Sequence, residues 1–200
     1  MNTKHFITEL TAVDWHSFGG SIDYRPKTVS TALLALALAD QESKEGIYHI
    51  EGTEPDLLLN SKIASYVMFA VGNDHSGTYY PAIRKALPFI IQVALAGNNL
   101  VARNCAINIL IDLYYFCPED GDKNLMDFVK QTIKDAILSN KENFEKVAVD
   151  DARNKSLIGS LISIVEESEE GFHNDCFSED FEERLKERIE KATRDYKENL

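Results

Sequence analysis

NNLVARNCAINILIDLYYF, residues 98–116, decides the fold. Val101, Cys105, Ile107, Ile109, Leu110, Ile111 and Leu113 place apolar side chains on nearly every side of a helix. A helix that is apolar all round is surrounded by other elements. This segment is therefore the expected centre of the core, with Cys105 as a packing side chain. Asn98 or Asn99 can cap its start by accepting from an open N–H of the first turn.

Upstream, Pro81 opens a helix whose stripe is Ile83, Leu87, Ile90, Ile91, Ala94 and Leu95, and Gly97 closes it. Pro88 inside it removes one hydrogen bond or bends it. Pro26 opens an earlier helix with Val29, Leu33, Leu36 and Ala37 on one face, ending near Asp40. Thr53-Glu54-Pro55-Asp56 has the capping hydroxyl, first-turn proline and acid of a helix start. Leu57, Leu58, Ala64, Val67, Met68 and Val71 continue that helix to a stop at Gly72-Asn73-Asp74.

Downstream, Pro118-Glu119-Asp120-Gly121 is a turn. A helix over 123–138 follows, with Leu125, Phe128, Val129, Ile133, Ala136 and Ile137 on its apolar side. Ser139 to Glu142 has capping-box spacing for a helix over 140–149, and Asp150 or Asp151 can cap the next, over 152–168. Glu166 to Phe177 reads as loop, and Ser178 caps a last helix with Phe181, Leu185, Ile189, Ala192 and Tyr196 in one narrow stripe.

No alternating apolar and polar run of useful length occurs, so the expected fold class is all-α without a sheet. Paired helices with short connections, repeated at roughly 40 residues, are the unit of a HEAT-like α-solenoid of stacked antiparallel pairs. One such domain over residues 1–200 is expected, and a generic helical bundle also fits the spacing.

The 200 residues are 44% apolar and 27% charged, which is ordinary for a chain that buries a core. Three cysteines do not make a disulfide scaffold. A net charge of −12 excludes a broad nucleic-acid-binding surface. The first twenty residues lack a charged start with a long apolar stretch, and no apolar run is long enough to span a bilayer. The expectation is a cytoplasmic protein, with no membrane partner and reduced thiols.

Little catalytic chemistry is visible. None of the five histidines has His-Glu-x-x-His spacing, and no phosphate loop, nucleophile elbow or Cys-x-x-Cys occurs. His173 and Cys176 could supply two metal ligands where a structural site needs four. Asp74-His75, beside Gly77, is the one fragment with the look of a general base and its orienting partner. The same residues also suit a purely structural loop, with Asp74 and Ser76 bonding backbone. No cofactor or metal is expected.

A resemblance covers Asp14 to Leu113. Its residues are Asp14-Trp15-His16 and Gly19-Gly20, the helix from Val29 to Asp40, and Asn73-Asp74-His75-Ser76-Gly77-Thr78-Tyr79-Tyr80-Pro81-Ala82. Ala86-Leu87-Pro88-Phe89 and Arg103-Asn104-Cys105-Ala106 complete the series. This order resembles bacterial HEAT-like repeat proteins, several of which are similar to immunity proteins of contact-dependent inhibition and polymorphic toxin systems. The chain departs from that pattern in the added Pro81 and in an insertion from Glu42 to Pro55. The resemblance implies a non-enzymatic protein that neutralises a cognate secreted toxin domain in the producer's cytoplasm. No interface residue follows from it.

Charge is distributed unevenly. Residues 1–118 carry 11 acids and 8 bases, net −3; residues 119–200 carry 22 acids and 13 bases, net −9. Asp120 with Asp122, Asp150 with Asp151, and Glu166, Glu167, Glu169 and Glu170 mark three acidic groups. They suit a solubilising surface with helix-start acids. They equally suit an anionic face that steers a basic toxin domain, for which a nuclease is the natural class. His75, Tyr79 and Tyr80 are the alternative anchors, because tyrosine at a helix start has hot-spot chemistry. An adaptor for another protein partner, or an enzyme centred on Asp74-His75, are the competing functions. The chain is expected to be monomeric alone. Trp15 is expected to plug the first helices.

Overall fold

The computed structural model describes residues 1–19, 22–39, 47–48, 59–73, 78–115, 122–150 and 155–167. Their helices are α1 (Thr3–Ala12), α2 (Pro26–Ala37), α3 (Ser61–Val71), α4 (Ile83–Ala96), α5 (Leu100–Tyr115), α6 (Lys123–Ser139), α7 (Lys141–Asp150) and α8 (Lys155–Glu167). Strand pairing among the described residues is confined to two antiparallel ribbons of two residues per strand. β1 (Ile47–Tyr48) pairs with β2 (Leu59–Asn60), and β3 (Gly72–Asn73) with β4 (Thr78–Tyr79). The chain is mostly helical, as the missing alternation requires.

Two compact units divide the chain: residues 1–48 with 58–133, and residues 49–57 with 134–200. The first is built around α5. Val101, Cys105, Ile107, Ile109, Leu110 and Leu113 are fully buried there. Asn104 is the one polar side chain buried among the described residues. Burying a Leu or Ile side chain stabilises by about 1.5–3 kcal/mol, so this one helix supplies much of the driving force. The Asn99 side chain accepts from the Ala102 N–H at 3.0 Å and also donates to the Ala39 carbonyl. It is the cap that the paired asparagines promised, and it ties the helix start to the end of α2.

α4 lies along α5 after the short connection Gly97-Asn98-Asn99, and α3 and α2 also pack on α5. Pro88 faces water inside α4, where solvent can bond the carbonyl that proline leaves without a donor. Arg84 of α4 lies over the Phe128 ring of α6 at 4.3 Å. Trp15 is buried; its indole N–H donates to the Leu10 carbonyl at 3.1 Å, and its ring packs 6.4 Å from Phe89. It plugs the first helices as expected. In the second unit α7 packs on α8, with Phe144, Ile158, Leu161 and Val165 buried.

Four local expectations are corrected. α1 has no counterpart in the sequence reading, although Asn2 caps it by accepting from the His5 N–H at 3.1 Å. Only Phe6 and Leu10 of this helix are buried, a stripe too thin to stand out. α3 begins at Ser61, because Leu59-Asn60 is held in the ribbon with Ile47-Tyr48; the start signal at Thr53 to Asp56 lies outside the described residues. Ser139 is the last residue of α6 and caps nothing, and Asn140 alone links α6 to α7. Asp150 is the last residue of α7, five positions before α8 begins, and the alternative cap, Asp151, lies outside the described residues. The expected last helix from Ser178 lies outside the described residues.

Candidate functional site

Two regions carry the candidate residues. In the first unit, β3 and β4 bracket residues 74–77. Gly72 faces Tyr79 and Asn73 faces Thr78, and the Tyr80 N–H donates to the Val71 carbonyl at 2.9 Å. The approach is close enough that a Cβ on Gly72 would lie 2.7 Å from the Thr78 carbonyl oxygen. Glycine is needed there for space. Asp74 and His75 are outside the described residues.

The two tyrosines after that segment are tied into the fold. Tyr79 donates its hydroxyl to the Leu113 carbonyl of α5 at 2.6 Å, and burial pushes its phenol well above the usual range. Tyr80 is 3% exposed, with its ring centroid 5.4 Å from that of Tyr24. Tyr24 in turn donates to the Trp15 carbonyl at 2.7 Å. Burial, and then the charge of Asp14, raise the Tyr24 phenol too. Tyr80 therefore has no open face, and Tyr79 spends its hydroxyl on α5. Sequence position cannot reveal this, because an amphipathic aromatic ring suits a core edge and an interface equally well.

The acidic candidates divide differently. Asp122 is exposed and caps α6, accepting from Asn124 N–H at 3.0 Å and Leu125 N–H at 3.4 Å. Its carboxylate has the helix-start role that its position suggested. Asp150 ends α7 and Glu167 ends α8. Glu166, one residue earlier, is exposed and pairs with Lys141 at the start of α7. That hydrogen bond and charge, helped by Glu145, hold the Lys141 ammonium above its usual range. Asp120, Asp151, Glu169 and Glu170 lie outside the described residues, as do His173 and Cys176.

Within residues 119–200 the described segments carry 8 acids and 6 bases. Most of the −9 therefore belongs to 119–121, 151–154 and 168–200. The described helices α6, α7 and α8 have a mixed, nearly balanced surface. Its ion pairs, such as Lys141–Glu166 and Lys141–Glu145, are exposed and contribute little to stability.

Asp112 is a titrating group that the sequence does not mark. Placed on α5, it keeps an exposed side but is pushed up to about 6 by burial against the protein around it. Its carboxylate accepts from the Asn108 amide at 3.0 Å. The Asn108/Asp112 spacing of one helical turn was visible in the sequence, but nothing local marked the crowding around it.

Among the described residues no group of three or more His, Cys, Asp or Glu side chains could hold a metal ion. No helix of the described residues is long and apolar enough to cross a membrane. No protein-family model, curated protein or solved structure matches the chain.

Proposed function

We propose that the chain is a non-catalytic binding protein of the immunity type, which neutralises a cognate secreted toxin domain in the producer's cytoplasm. The observation that carries this reading is the coincidence of two features. One is the ordered set of motifs from Asp14 to Leu113. The other is an acid excess of −9 in residues 119–200, against −3 in residues 1–118. An acidic surface suits a toxin that is itself basic, as a nuclease must be to hold a polyanion. In this reading the helices stack as short HEAT-like pairs, and the acids of the C-terminal part steer the toxin onto them. The mostly helical fold is compatible with that arrangement, and so is an adaptor for a different basic protein.

The test is capture of the partner from the producing cell, followed by affinity measurement with charge-reversed variants. Glu167, Glu169 and Glu170 changed together to lysine should weaken binding while leaving the melting temperature in place. Glu166 is left out of that set because it is bonded to Lys141. Glu9→Lys is the control on the other side of the charge divide. Asp14 would be a poor control, since it caps the Trp15–Ser17 turn by accepting from the His16 N–H. An unchanged affinity in the triple variant, or capture of an acidic partner, overturns the proposal.

A further inference from the structure

We draw no further inference here: the strongest candidate, the surface patch on α3 that presents the exposed rings of Tyr66 and Phe69, carries nothing because nothing in the structure shows what covers it.

Discussion

α5 and α6 are similar in length and opposite in design. α5, from Leu100 to Tyr115, turns ten of its residues fully inward, including a cysteine, an asparagine and a tyrosine. α6, from Lys123 to Ser139, buries Leu125, Val129, Ile133 and Ile137 on one stripe and gives Asp127, Gln131 and Asp135 to water. The first helix gives most of its surface to packing and leaves Asp112 exposed; the second keeps a whole wet face. The core helix therefore offers little free surface, and the wet faces of the described residues belong mostly to the amphipathic helices.

The largest effect should come from α5. Ile109→Ala or Leu110→Ala removes a fully buried side chain and should cost about 2–5 kcal/mol in chemical denaturation. Leu138→Ala, on the 37% exposed side of α6, should stay within about 0.5 kcal/mol. Equal losses at the two sites would erase the distinction between the helices. Gly72→Ala comes next. Its new Cβ would meet the Thr78 carbonyl oxygen at 2.7 Å, and backbone cannot yield as a side chain does. A loss of about 1–3 kcal/mol is expected, the range for overpacking. A wild-type melting temperature in that variant would show that the β3–β4 ribbon can open without strain.

The smallest effect is a pH dependence on α5. Asp112 has its carboxyl raised to about 6 in the fold, above the ordinary value of 3.8. Between those two values the folded state holds the proton more tightly than the unfolded chain does. The stability from this group is thus present below about pH 4 and is lost as pH rises through about 6. Asp112→Asn should flatten that part of the stability profile and be the more stable protein at pH 7. Because the residue keeps an exposed side, solvent screens part of the effect, and a shift of a few degrees is the scale to look for. A variant whose pH profile overlays the parent's would show that Asp112 is an ordinary hydrated acid.

How much of this was legible in the chain follows the same divide. α5 could be read almost to the residue, because an all-round apolar helix with an asparagine cap leaves no alternative, and Ile109 and Leu110 are buried as read. α2, α4 and α6 were bounded by proline, glycine and turn signals that act locally. What escaped depends on distant partners. Leu59-Asn60 looks helical until Ile47-Tyr48 pairs with it across the intervening residues. Tyr80 looks like a surface anchor until Tyr24 covers it. Asp112 looks like any helical acid until tertiary packing raises its carboxyl. Of the acidic site residues, helix-start acids could be read only as a class and the cap by Asp122 was not singled out, while the pairing of Glu166 with Lys141 joins residues 25 apart in sequence.

The association rate with the captured partner, at low and at physiological salt, bears most directly on recognition by charge. Exposed charges are screened beyond roughly 8–10 Å at physiological ionic strength, so steering is strongest when salt is low. The rate should fall about tenfold or more between the two conditions, and the Glu167, Glu169 and Glu170 reversal should remove most of that salt dependence. Glu9→Lys should leave it nearly intact. A rate that ignores salt, or equal losses in the two variants, would contradict recognition by the acidic part and leave it as a solvated surface.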